Sequence, residues 1–284
     1  MVSTSYYQLN AEIARQQRLA QQITQAQNQI STNSRLLAPS DDPSASARVT
    51  DISREQANGT VWTANARSAA ATASQSDAAL TSIANSLTNA LELMTSGTTA
   101  TLNHTDRAAI ATQLRGLAST ISMAMSQTDS SGNPLFPDAS TKIPVGNGML
   151  VTASPPASAV FDGIASGAGT SDMVSILNAA ADALSLTDPD ARATAAATSL
   201  DAVKAANARI STMQGEQGVM SAQINSAISR LQDTSTALSV EQTTLQNTDI
   251  PSTVANLQAL MLSLQAAQAT FAKVNQQGLF SMIT

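Results

Sequence analysis

Cysteine is absent from these 284 residues, histidine and tryptophan occur once each, aromatic side chains make up only 2% of the chain and charged ones 12%. Each shortage closes a class of function. Without cysteine there is no disulfide staple and no thiolate metal site, and a single histidine leaves a structural zinc ion without ligands. So few aromatics argue against a thick globular core and against a pocket walled by rings. The formal net charge is -6 and no cluster of lysine and arginine occurs, so the chain lacks the feature that phosphate backbones bind. No apolar run reaches the roughly 20 residues that a bilayer crossing needs. The start, Met1-Val2-Ser3-Thr4-Ser5-Tyr6-Tyr7, lacks the basic patch and apolar run of a cleaved signal peptide, which leaves a cytoplasmic protein or one exported by a route that does not cleave. No nucleic acid, membrane, metal or cofactor is expected as a partner.

What is present is alanine, with serine, threonine and glutamine behind it, and together these carry much of a 43% hydrophobic, weakly charged chain. Alanine and glutamine suit helices, and small side chains let helices approach closely. The N-terminal segment carries a heptad seam at Leu9, Ile13, Gln16, Ala20, Ile23, Gln27, Ile30, Ser34 and Leu37, in alternating steps of four and three. Three of those nine positions are polar, so the helix is marginal alone and orders on meeting a partner. The same spacing recurs at the other end through Ile250, Val254, Leu257, Met261, Leu264, Gln268 and Phe271, with one polar interruption. From residue 250 to 274 such a helix runs roughly 37 Å at 1.5 Å per residue. Two seams at opposite ends suggest that the termini meet.

Between the ends, Ala38-Pro39-Ser40-Asp41-Asp42-Pro43 reads as a bend in which Pro39 ends the first helix and Asp42 caps a second that begins at Pro43. That second helix runs through Trp62, Leu80, Ile83, Leu87, Leu91 and Met94, with a soft point at Asn58-Gly59 and a stop near Ser96-Gly97. A third starts at 103–106 and aligns Ile110, Leu114, Leu117, Ile121 and Met125. Five of the nine prolines and six of the twelve glycines then fall between Gly132 and Gly169, a density no long helix tolerates. There, Lys142-Ile143-Pro144-Val145, a Gly146-Asn147-Gly148 turn and Met149-Leu150-Val151-Thr152 predict a hairpin, Ala159-Val160-Phe161 a further strand, and 163–169 a linker. Helix resumes near Ser171 and restarts at Asp188-Pro189 for a long run through Val203, Ile210, Met220, Ile224, Ile228, Leu231, Leu238 and Leu245. The expected fold is mainly α: long antiparallel helices, a coiled coil of the two terminal segments, and a small β-rich insertion. The expected domains are an inner coiled coil of 1–40 with 249–284, a helical rod of 41–134 with 170–248, and an outward-facing insertion at 135–169.

Several local words are shared with a known family. They are Pro39-Ser40-Asp41-Asp42-Pro43, the stretch Asp106-Arg107-Ala108-Ala109-Ile110-Ala111-Thr112-Gln113-Leu114-Arg115, and Gly132-Asn133-Pro134-Leu135-Phe136. At the far end stand Leu264-Gln265-Ala266-Ala267-Gln268-Ala269-Thr270-Phe271-Ala272-Lys273-Val274 and Gly278-Leu279-Phe280. In these words and in its order of helices, the chain resembles the flagellin superfamily, and within it the members that join hook to filament. The resemblance spans nearly everything except the β insertion. It departs at Pro137-Asp138, where the family more often enters a glycine turn, and at Gln246-Asn247, where acids are common. It implies a non-enzymatic subunit exported unfolded with the help of a chaperone. In the flagellum that subunit assembles as a ring of identical copies between a hook-associated protein and filament flagellin. A minor filament flagellin, and more remotely a secreted coiled-coil adhesin or translocator, are alternatives. The implied assembly residues are Leu9, Ile13, Ala20, Ile23, Ile30 and Leu37 on one seam and Ile250, Val254, Leu257, Met261, Leu264 and Phe271 on the other.

A hydrolase would have to use His104, Asp41 or Asp42. His104 sits in a polar run at a helix start, which favours a solvated or capping role. Adjacent acids beside proline favour a turn and a cap over a general acid-base pair. The glycines of 163–169 have the wrong spacing for a dinucleotide loop. Met213, Met220 and Met261 read as core filler, and the triplets at Asn58 and Asn103 lie in or beside helices, unlike glycan acceptors.

Overall fold

The computed structural model describes residues 2–99 and 102–280. In chain order the elements are α1 (Val2–Thr32), α2 (Pro43–Gly97), α3 (His104–Met125), β1 (Lys142–Gly146), β2 (Met149–Thr152), α4 (Ala157–Phe161), β3 (Ile164–Ser166), β4 (Gly169–Ser171), α5 (Met173–Ser185), α6 (Pro189–Gln246) and α7 (Ile250–Phe280). The fold is mainly α, with two small antiparallel hairpins inserted between α3 and α5.

Helix starts follow their caps. The Asp42 carboxylate accepts the Ala45 N–H at 3.0 Å and opens α2 at Pro43. Asn103 Oδ1 accepts the Asp106 N–H at 2.9 Å ahead of α3, and Asp188 accepts from Ala191 N–H at 3.2 Å ahead of α6. A side-chain acceptor here satisfies one of the orphan amides of a first turn, and proline at the first helical position gives up a donor that would have had no partner. α2 continues unbroken through Asn58-Gly59. α1, in contrast, does not last to Pro39. It ends at Thr32 because Asn33 adopts a left-handed conformation (φ 51°), after which Ser34 pairs with Asn247 in an antiparallel bridge.

The chain divides into two compact units, one comprising Asn58–Asp233 and the other the residues up to Ala57 together with those from Thr234. In the Asn58–Asp233 unit, Leu80, Ile83, Leu87 and Met94 of α2 form one core with Leu114 and Ile121 of α3, Ile176 and Leu177 of α5, and Val203 and Ile210 of α6. Each fully buried side chain of this kind contributes about 1.5–3 kcal/mol. Phe136 and Phe161 meet edge to face in the same core, with ring centroids 5.2 Å apart. A second cluster is built from Ala66, Ala69 and Ala73 of α2, Ile224 and Ala227 of α6, and Val145, Val151 and Ala153 of the first hairpin. Its fixed polar point is Gln217, whose buried Nε2 donates to the carbonyls of Ala73 (3.2 Å) and Ala153 (2.9 Å).

The first hairpin pairs Ile143 with Val151 and closes at Gly146 opposite Met149, with Gly148 at φ 75° in the turn. The middle region departs from expectation twice. Ala159-Val160-Phe161 is not a strand but the end of α4. Val160 and Phe161 are both buried (0% and 1% exposed), and alternating strand geometry would turn one of two neighbours outward. A single helical turn after Pro155-Pro156 admits both. Nor is 163–169 a linker. Ile164–Ser166 and Gly169–Ser171 form a second hairpin, with Gly167 supplying the positive φ (60°) of a two-residue turn and Ile164 buried beneath it.

Candidate assembly surface

In the unit that holds both chain ends, α1 finishes where α7 begins. The bridge at Ser34 and Asn247 is reinforced by Arg35 N–H donating to Gln246 O at 2.7 Å. The two helices therefore pack antiparallel along their lengths. Their pairing covers Gln16, Leu19, Ile23, Ala26 and Ile30 on α1 and Thr253, Leu257, Leu260, Leu264, Ala267 and Phe271 on α7, with Ala26 and Ala267 fully buried. Both lines step by threes and fours, as a two-helix seam requires. Alanine at the tightest points lets the backbones close in.

The heptad read from sequence coincides with this line at Gln16, Ile23, Ile30, Leu257, Leu264 and Phe271, while Val254 is half-buried at its border. Other members are left open by the pair, along its flank. Ala20 is exposed there, with Ile13 39%, Ile250 39% and Met261 45% exposed, so Met261 is not core filler. Leu262, which the heptad did not include, is 68% exposed. Leu37 is exposed at a shallow groove lined by Ala20, Thr24, Asn28 and Asp41. The side chain of Leu9 lies outside the described residues. The covered partners Leu19, Ala26, Leu260 and Ala267 were missed because two registers of threes and fours pass through the same anchors. Only the packing of one helix on the other selects between them.

A polar strap over 33–42 joins α1 to α2. The Asp41 carboxylate accepts the N–H groups of Leu37 (3.0 Å) and Ala38 (2.8 Å). Asp42 accepts from Ala45 N–H and from the Ser44 hydroxyl (2.8 Å), and Arg35 approaches its second oxygen at 3.1 Å. The Ala45 amide first, then Ser44 and Arg35, hold the Asp42 carboxyl below the ordinary carboxylate range. Arg35 also donates to Leu245 O at 3.0 Å, tying the strap to the end of α6. Next to it, Arg48 grips Glu241 with two bonds of 2.6 and 2.9 Å and reaches Glu55 at 3.3 Å. That hydrogen-bonded guanidinium holds Glu241 below its usual value. Arg35 and the Arg48–Glu241 pair carried no sequence signal, because their partners are distant in the chain.

The strap's carboxylates are thus occupied by backbone amides, which is turn and cap chemistry. His104 is exposed in the first turn of α3. Among the described residues no group of three or more His, Cys, Asp or Glu is placed to hold a metal, and no helix is long and apolar enough to cross a membrane. Gln16, a polar position in the seam, has its Nε2 buried with no hydrogen-bond partner among the described residues.

Two family models match the sequence: the bacterial flagellin N-terminal helical region over residues 2–141 and the bacterial flagellin C-terminal helical region over residues 200–283. Over 108 residues the chain is 31% identical to flagellar hook-associated protein 3 of Escherichia coli (strain K12), which covers 38% of this chain and about a third (34%) of that relative. In fold it is similar to FlgL of Xanthomonas campestris (TM-score 0.61, 14% identity, 68% of this chain and 99% of that one). The flagellar junction protein FlgL of Legionella pneumophila is comparable (TM-score 0.59, 13% identity, 70% of this chain and 100% of that one).

Proposed function

Since this chain belongs to the flagellin superfamily, we propose that it is a structural, non-enzymatic subunit of the bacterial flagellum that forms the junction between hook and filament. The observation that carries the reading is the apolar flank left open beside the α1–α7 seam at Ile13, Ile250 and Met261, with Leu262 exposed on the far side of α7. A chain this poor in surface charge leaves those side chains uncovered only if copies of itself or related axial subunits cover them. The names and folds of the relatives point to the junction rather than to the filament shaft.

In this reading 1–40 with 249–284 is the inner coiled-coil domain, 41–134 with 170–248 the helical rod and 135–169 the outward insertion. The exposed seam residues Ile13, Ala20, Leu37, Ile250 and Met261, with Leu9, are the contacts between subunits, while Ile23, Ile30, Leu257, Leu264 and Phe271 close the α1–α7 pair within each subunit. The partners are identical copies in a ring, a hook-associated protein on the hook side, filament flagellin on the other, and an export chaperone before assembly. Export as an unfolded chain suits a cysteine-free sequence, which cannot cross-link on the way, and assembly then stabilises helices that are marginal alone.

Deleting the gene tests this directly. Flagellin should appear in the medium while hooks remain bare. Normal filaments on the deletion strain would sink the junction role. A minor filament flagellin is separated by abundance: it would recur along sheared filaments, whereas a junction subunit is scarce and confined to their base.

A further inference from the structure

The chain contains two Asn-Gly pairs, Asn58-Gly59 and Asn147-Gly148, and the fold places them in opposite chemical situations. We propose that Asn147 is a site of spontaneous deamidation, converting to aspartate and isoaspartate in the folded protein, while Asn58 is held inert. An asparagine side chain loses its amide when the next backbone nitrogen attacks the side-chain carbonyl carbon. Glycine at the next position leaves that nitrogen unshielded.

Asn147 and Gly148 are both exposed and form the turn between β1 and β2, with Gly148 at φ 75° and outside the ladder of either strand. Asn58 and Gly59 lie deep inside α2, where the i→i−4 pattern engages the Gly59 N–H and helical geometry keeps that nitrogen directed along the axis, away from the Asn58 side chain. Thr63 Oγ1 donates to the Gly59 carbonyl at 2.8 Å and further occupies that turn.

The step is closed in atoms. The Gly148 nitrogen loses its proton and bonds to the Asn147 side-chain carbon, ammonia leaves, and a five-membered succinimide forms. Water then opens either carbonyl. One route gives aspartate; the other gives isoaspartate, which runs the backbone through the side chain and adds one carbon to it. Both add a negative charge to the turn. The longer backbone falls in a two-residue connection that closes at Gly146 opposite Met149, next to Val145 and Val151, the two strand residues that seat the hairpin on the alanine cluster. The modified hairpin should therefore loosen from the helices beneath it.

The test is to hold the purified full-length chain in neutral and mildly alkaline buffer, digest it at intervals and weigh the peptides. The peptide containing residue 147 should acquire the mass of a carboxyl in place of an amide and split into two chromatographic species. The rate should rise with pH, because the attacking nitrogen must shed its proton. Conversion at Asn58 should be slower by at least about tenfold, equivalent to about 1.4 kcal/mol of local helix opening. In denaturant the two sites should convert at comparable rates. Asn147→Gln, whose longer side chain closes a ring poorly, should abolish the charge variant and keep the hairpin resistant to protease after ageing. Equal rates at both sites in the folded chain would overturn the proposal. So would an unchanged Asn147 over a period in which the denatured chain converts, or the same variant accumulating in Asn147→Gln.

Discussion

Met261→Asp separates assembly from folding. Met261 is 45% exposed on α7 while its neighbours Leu260 and Leu264 face α1. Complete burial of a methionine side chain contributes about 1.5–3 kcal/mol, so covering the open half on assembly supplies roughly 1 kcal/mol per subunit. An aspartate forfeits that amount and also brings an unpaired carboxylate into an apolar contact, which costs several kcal/mol more. With a combined loss of roughly 4 kcal/mol and about 1.4 kcal/mol per tenfold, association falls roughly a thousandfold. The isolated chain already leaves this position half solvated, so its stability should change by less than about 1 kcal/mol. Helicity and the thermal melt of the purified variant check the second half; a swimming assay in a strain lacking the native gene checks the first. Met261→Leu, which keeps apolar area, should swim. Leu264→Asp is a poorer probe, because Leu264 lies between α1 and α7 and its charge loosens the pair itself. If Met261→Asp swam normally with an unchanged melt, the open flank would not be an assembly contact.

Other outcomes follow from the same geometry. Phe161→Ala removes one ring of the edge-to-face pair from a fully buried site and should cost about 3–5 kcal/mol in denaturant unfolding of the Asn58–Asp233 unit. Asp172→Ala deletes the acceptor that receives the Ser175 N–H at 2.9 Å ahead of α5, a loss of about 1 kcal/mol readable in the same experiment. Glu241 has a folded pKa below its unfolded value, owing chiefly to its hydrogen bonds from Arg48. Its stabilisation is therefore complete above the ordinary carboxylate range and fades as pH falls through the folded value. Glu241→Gln should remove that part of the acid-induced loss of helicity, and an acid titration identical to that of the native chain would contradict this.

Local rules made much of the fold legible. Asp42-Pro43, Asn103 with Asp106, and Asp188-Pro189 marked three helix starts, and Gly146-Asn147-Gly148 marked a hairpin. What escaped depended on tertiary partners. Asn33 stops α1 because Ser34 and Arg35 find backbone partners at Asn247 and Gln246, far along the chain. Phe161 is helical because a core waits for it and for Val160 together. The second hairpin was hidden by glycines that also suit a linker. In the α1–α7 pair, Ile23, Ile30, Leu257, Leu264 and Phe271 could be read in advance as lying where the two helices meet, whereas the choice between Ala20 and Leu19, or Met261 and Leu260, needed the face that packing selects.

The union of α1 with α7 has a consequence for timing. Arg35 and the Leu245 carbonyl it holds are 210 positions apart, so the bridge beside them closes a very long loop and has to wait for the rest of the molecule. A nascent polypeptide emerges amino end first, and until α7 has been made α1 has no mate to fold against. Its apolar stripe then stays available to whatever meets it earlier, and the appearance of α7 decides when that availability ends.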